Sequence, residues 1–102
     1  MMDIVQPNEG RPVDVDLGDG HTLTWTYIDG VHVGGIIRHN ADTPTGYCES
    51  HFWFRGVEMA VREKRSQWDM TGTFECPTLS PSFLCHCQKD HGWIREGKWV
   101  RA

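Results

Sequence analysis

Residues 76–100, with the sequence CPTLSPSFLCHCQKDHGWIREGKWV, decide the fold that we predict for this chain. Their last part is typical of a β-hairpin, because two short apolar strands flank a Glu96-Gly97 turn. Two prolines further upstream disfavour helix at the residues that precede them, so an extended segment should lead into the hairpin. The stretch therefore predicts a C-terminal hairpin preceded by an extended strand.

Thiols and imidazoles cluster between the extended segment and the hairpin. Cys85, Cys87 and His91 offer three ligands on one turn, and ligands close in sequence suit a zinc site. Cys48 and His51 offer two more where a loop meets a strand. We therefore predict one zinc ion at the base of the hairpin, held by four of these residues, for example Cys48, Cys85, Cys87 and His91.

The sequence leaves open which residues complete the zinc site. His51 and His86 are the competing candidates for its positions. In an extended backbone, the side chains of Cys85 and Cys87 would point to one face and that of His86 to the opposite face. A site with four protein ligands is structural, whereas three ligands and one open position allow catalysis. No HExxH or H-x-E…PCxxC pattern occurs, which favours the structural site. Cys76, before Pro77, is interpreted as a core residue.

The N-terminal half shows the two-residue period of half-buried strands. Alternating residues over 13–17, 21–28 and 31–38, separated by tight turns, predict an antiparallel meander. Residues 47–55 predict another strand, and 57–67 fit either a short helix or an irregular connection. The predicted fold class is mostly β, with a small α+β arrangement as the alternative: an N-terminal antiparallel meander plus a C-terminal zinc-ribbon-like hairpin.

The chain of 102 residues is near the commonest domain size. We expect residues 1–12, which contain prolines and glycine among polar residues, to be flexible, and residues 13–102 to form a single metal-stabilised β domain.

Charge and hydropathy exclude several classes of function. The net charge of −4 gives no basic field for nucleic acid, and no apolar run approaches the roughly 18 residues of a membrane span. The first residues lack the basic flank and apolar run of a signal peptide. We therefore expect a cytoplasmic protein, in which four reduced cysteines indicate metal binding more than disulfides.

Two blocks of the sequence resemble a known family. Residues 78–85 and 90–100 are similar to the TLSPSLLC…HGFIRDGKWV ending of small proteins of unassigned function from actinobacterial phages and prophages, and residues 46–49 resemble their G-x-C-E-G element. The resemblance implies a phage or prophage origin, the host cytoplasm and a zinc-ribbon-like fold. It also implies metal binding by the matching cysteine and histidine positions, Cys48, Cys85 and His91.

These observations favour a non-enzymatic, zinc-binding phage accessory protein that binds a host or phage protein. The alternatives are a small zinc-dependent hydrolase and, with less support, a nucleic-acid-binding module, which would need a one-sided basic stripe. Ser80 and Ser82 also invite a nucleophile interpretation. Because no G-x-S-x-G elbow surrounds them, we interpret them as turn residues beside Pro81.

Overall fold

The computed structural model describes residues 14–85, 87 and 89–102, so Val13, the segment 1–12 that was predicted to be flexible, and His86 lie outside the described residues. The elements of this part of the chain are β1 Val15–Gly18, β2 His21–Ile28, β3 Val31–Asn40, β4 Tyr47–Phe54, α1 Glu58–Arg62, β5 Gln67–Gly72, β6 Pro77–Leu84, β7 His91–Arg95 and β8 Lys98–Arg101. The prediction of a mostly β fold is confirmed.

The eight strands lie side by side in chain order in one sheet. Every neighbouring pair is antiparallel except β4 and β5, which pair in parallel through two residue pairs, Trp53 with Gln67 and Phe54 with Trp68. The short helix α1 lies in the connection between these two strands, as a parallel pair requires a crossover. β1 also contacts β8, so the sheet curls until its first and last strands meet.

Helix α1 occupies part of the segment 57–67, for which the sequence left a short helix and an irregular connection open. Only Ala60 of α1 is buried, and Glu58 and Arg62 form an i,i+4 ion pair on its surface. Among the described residues, no helix is long and apolar enough to cross a membrane.

The third strand of the meander is longer than its sequence pattern predicted. β3 continues to Asn40 instead of ending at Arg38, because its ladder with β4 runs from Gly34–Trp53 to Asn40–Tyr47. The predicted loop after this strand is therefore a short connection between two paired strands. This longer ladder places His39 directly opposite Cys48.

The paired glycines of β3 permit a close approach of β4. A Cβ atom on Gly35 would lie 2.7 Å from the ring of Phe52, and one on Gly34 would lie 2.0 Å from the Phe52 carbonyl oxygen. The β2–β3 register also shifts between Thr26 and Tyr27, opposite this point. Side chains at these two positions would therefore prevent the pairing of β3 with β4 at this distance.

Phe52 stands at the centre of a core to which both halves of the sheet contribute. Its ring makes edge contacts with Phe83 at 5.4 Å, Trp68 at 6.2 Å and Trp25 at 6.3 Å between centroids. The other buried core residues are Val15, Leu17, Leu23, Ile37, Leu79, Ile94 and Trp99. Burial of these side chains supplies the main driving force for folding.

We expect Phe52→Ala to lower the free energy of unfolding by about 3–5 kcal/mol, because it removes a ring that is 1% exposed and leaves a cavity. Chemical denaturation followed by tryptophan fluorescence measures the change. Phe74→Ala, at a ring that is 36% exposed, is the control and should cost clearly less. Equal losses in the two variants would contradict this description of the core.

Candidate active site and metal centre

Four potential metal ligands meet inside the sheet. The ligand atoms of His39, Cys48, Cys85 and Cys87 all lie within 4.8 Å of one another. The sulfur atoms of Cys48 and Cys85 are 3.1 Å apart, and the Cys87 sulfur is 3.7 Å from His39 Nε2. Three thiols and one imidazole are a donor set typical of tetrahedral metal sites, so this group could hold a metal ion.

Two separate elements bring the four ligands together. His39 and Cys48 are direct partners in the β3–β4 ladder, and Cys85 and Cys87 belong to the connection between β6 and β7. The Cys85 backbone N–H donates to the carbonyl oxygen of Asp90 at 2.9 Å, which closes this connection. A metal ion here would cross-link the N-terminal hairpin to the C-terminal one.

The His39 ring is oriented for coordination. Its Nδ1 atom is 3.0 Å from the carbonyl oxygen of Asn40, to which it donates a hydrogen bond when it carries the ring proton. Nε2 then presents its lone pair to the thiols. A second ring nitrogen bound to a backbone carbonyl is the usual way in which proteins orient a metal-binding histidine.

The pKa values of the Cys48 and Cys85 thiols shift in opposite directions. A hydrogen bond to Cys85, with burial and the nearby sulfurs, raises the pKa of Cys48 to about 11. Burial opposes ionisation of Cys85, but hydrogen bonds from the Cys87 backbone, Ser50 and the neighbouring thiols outweigh it and hold the pKa of Cys85 below its usual range. Of the two thiols, Cys85 therefore loses its proton at the lower pH, because its pKa is below its usual range and that of Cys48 is above it.

The structure brings together three of the five residues that the sequence suggested as ligands: Cys48, Cys85 and Cys87. His51 is exposed on β4, opposite Ile36, and does not belong to the group. His91 does not belong to it either. His39 was missed because the predicted strand ended at Arg38, although a hairpin extended through the following loop would have placed residue 39 opposite residue 48.

We expect His39→Ala to reduce the metal bound per chain and His51→Ala to leave it unchanged, because His39 alone of the two belongs to the ligand group. Elemental mass spectrometry on protein purified without an affinity metal measures the ratio. Equal metal content in the two variants would contradict the assignment of His39.

His91 instead faces a serine. Its Nε2 atom is 3.0 Å from Ser82 Oγ, which is hydrogen-bonding distance. His91 is exposed and Ser82 is half-buried, so both atoms can be reached from solvent. With the ring proton on Nδ1, the Ser82 hydroxyl donates to Nε2, which is the arrangement of a nucleophile and its general base.

The β6–β7 ladder explains this contact. His91 pairs with Leu84, and Ser82 lies two residues before Leu84 in β6, at the end of the stretch between Leu79 and Phe83 in which the register shifts. Diagonal neighbours on one face of an antiparallel pair are within reach of long side chains. The contact thus follows from strand register, and it needs no nucleophile elbow.

No carboxylate in the described part of the chain hydrogen-bonds the His91 ring. Asp90 precedes His91 in the sequence, but its carboxylate oxygen lies 2.8 Å from His21 Nε2 and 4.0 Å from His39 Nε2. Among the described residues, Ser82 and His91 therefore form a hydrogen-bonded pair, the Ser82–His91 dyad, without the carboxylate that completes a Ser-His-Asp triad.

Comparison with known protein families finds a similarity in the C-terminal part of the chain. A family model described as "Bacterial ubiquitination-like system serine protease (BubE)" matches residues 56–102. The matched segment contains Ser82, His91 and two cysteines of the candidate metal group, Cys85 and Cys87, whereas His39 and Cys48 precede it. No curated protein and no solved structure matches the chain.

The match overturns the function predicted from the sequence. We had expected a non-enzymatic phage accessory protein, and that prediction was wrong because the matching family is named for a serine protease. The prediction failed at Ser82, which was judged by its local motif, whereas its partner His91 comes from the next strand. The resemblance to actinobacterial phage proteins and the host or phage protein as partner stay predictions.

Proposed function

We propose that this chain is a serine hydrolase of the protease type, with Ser82 as nucleophile and His91 as general base. The observation that carries the proposal is the 3.0 Å distance between Ser82 Oγ and His91 Nε2. The family match over residues 56–102, which includes both residues, supports it. From the name of that family, we take the substrate to be a peptide-type bond in a protein of a ubiquitination-like system.

The proposed reaction is acyl transfer in two steps. Ser82 Oγ attacks the carbonyl carbon while His91 Nε2 takes the hydroxyl proton. His91 then gives that proton to the leaving amine as the C–N bond breaks, which leaves an acyl ester on Ser82. Water, deprotonated by His91, hydrolyses the ester and restores the free hydroxyl.

We further propose that the metal is one zinc ion and that its role is structural. Three thiols and one imidazole fill a tetrahedral zinc site and leave no open position for a reacting water. The two ligands Cys85 and Cys87 lie between Ser82 and His91 in the chain. Zinc would therefore hold the connection on which both members of the dyad depend, and the chemistry would remain with the serine.

We expect a fluorophosphonate probe to label the wild-type protein on Ser82, because an activated serine attacks such phosphorus centres. Ser82→Ala should abolish labelling, and His91→Gln should slow it by about 10²–10⁴-fold, the usual contribution of a general base. Intact-mass and peptide mass spectrometry measure the extent and position of labelling.

Ser80→Ala is the matched control. Ser80 is a serine of the same strand, and within the described part of the chain the hydrogen-bond partner of His91 Nε2 is Ser82 and not Ser80. It should label at the wild-type rate. Absence of labelling in the folded, zinc-loaded wild-type protein, or equal labelling of Ser82→Ala, would contradict the serine-hydrolase proposal.

Zinc affinity should rise with pH. Because the pKa of Cys48 is about 11 without metal, its thiol is protonated at neutral pH and must lose this proton when zinc binds. Each released proton raises the apparent affinity about tenfold per pH unit. Chelator competition between pH 6 and 8 measures this slope, and Cys48→Ser should reduce it by about one proton. A pH-independent affinity would contradict the coordination by Cys48.

A further inference from the structure

A buried histidine–aspartate pair lies directly behind the catalytic histidine. His21 of β2 and Asp90 are 3% and 8% exposed, and His21 Nε2 is 2.8 Å from the Asp90 carboxylate. The other ring nitrogen, Nδ1, is 2.7 Å from the carbonyl oxygen of Asp19. The His21 ring is thus held from both sides, and through it the Asp90 side chain is held inside the sheet.

Trp99 of β8 covers this pair and also contacts the other neighbour of His91. Its ring stacks on the His21 ring at 4.1 Å between centroids, with 12° between the planes. A Cβ atom on Gly92 would lie 2.7 Å from the Trp99 ring, so the indole occupies the space that a side chain at position 92 would need. One indole ring therefore packs against residue 92 and, through His21, restrains residue 90.

Restraint of residues 90 and 92 determines where residue 91 points. Successive side chains of a strand point to opposite faces, so an inward Asp90 and an inward Gly92 leave His91 on the outer face. Ser82 is on that same face. A slip of one residue would turn His91 into the core and expose Asp90, and the loss of the His21–Asp90 contact would weaken the restraint against such a slip.

We propose that His21 and Asp90 are positioning residues for His91, and that the N-terminal half of the chain thereby sets the geometry of the dyad. The inference rests on the proposed function. It extends the active site to β2, which lies outside the segment matched by the protease family. His21 and Asp90 do not touch the reacting atoms; they act through the backbone and the face alternation of β7.

The test uses the full chain with saturating zinc and the fluorophosphonate probe. Two quantities are measured separately: the labelling rate at saturating probe, and the probe concentration that gives half of this rate. His21→Phe keeps a ring against Trp99 but removes both hydrogen bonds. It should lower the saturating rate by about 10–100-fold, the range that a misplacement of about 1 Å produces, with little change in half-saturation. Asp90→Ala should lower the saturating rate by a similar factor, also with little change in half-saturation.

Asp90→Asn is the conservative variant, because its amide oxygen still accepts a hydrogen bond from His21. It should keep the saturating rate within about threefold of wild type, since positioning requires the contact and not the charge. Ile37→Val is the control for a loss of stability alone. Ile37 is a core residue of β3 that pairs with Leu23, away from the dyad, and its variant should label at the wild-type rate once folded.

Wild-type rates for folded, zinc-loaded His21→Phe and Asp90→Ala would overturn the positioning role while the serine-hydrolase proposal stands. A higher half-saturating probe concentration with an unchanged saturating rate would also overturn the positioning role. Failure of the wild-type protein to react at Ser82 would overturn the proposed function itself and this inference with it. The wild-type and variant measurements therefore separate the two failures.

Discussion

The approach of Cys48 and Cys85, whose sulfur atoms are 3.1 Å apart although the two residues are 37 positions apart in the chain, is the contact that joins the two halves of the sheet at the candidate metal site. It joins the β3–β4 hairpin to the connection between β6 and β7. Without a metal, the hydrogen bond to Cys85 and burial raise the pKa of Cys48 to about 11, so this thiol keeps its proton at neutral pH. A cation that replaces this proton would turn a weak contact into a cross-link, and a domain of this size gains much from one.

The dyad and the metal ligands share one short piece of chain, but they use opposite faces of it. The Cys85 N–H bond to the Asp90 carbonyl continues the β6–β7 ladder, with Asp90 directed inward and His91 outward. Structural restraint is therefore concentrated on the inner face, and reactive atoms on the outer one. This division explains how the histidine proposed as general base can follow a proposed metal ligand closely in sequence without belonging to the ligand group.

Much of the fold could be predicted because it is encoded locally. Two-residue alternation identified the strands of the meander, and Glu96-Gly97 identified the last turn, in which both residues adopt positive φ. Three ligands of the candidate metal group, Cys48, Cys85 and Cys87, could be predicted from the sequence. His91 was assigned to the metal from its spacing to Cys87, and Ser82 was set aside for want of an elbow. Neither judgement could take account of register, and register decides which cross-strand side chains meet.

Local pattern therefore determined the strand-rich class, the turns and the presence of clustered thiols, since each depends on residues only a few positions apart. The folded sheet alone decided the pairings on which the proposed function rests: His39 with the thiols, Ser82 with His91, and His21 with Asp90. The physical reason is the period of a strand. A shift of one residue in any ladder reverses the face of every side chain, so a pairing across strands is set by the packing of the whole core and not by the spacing of two residues.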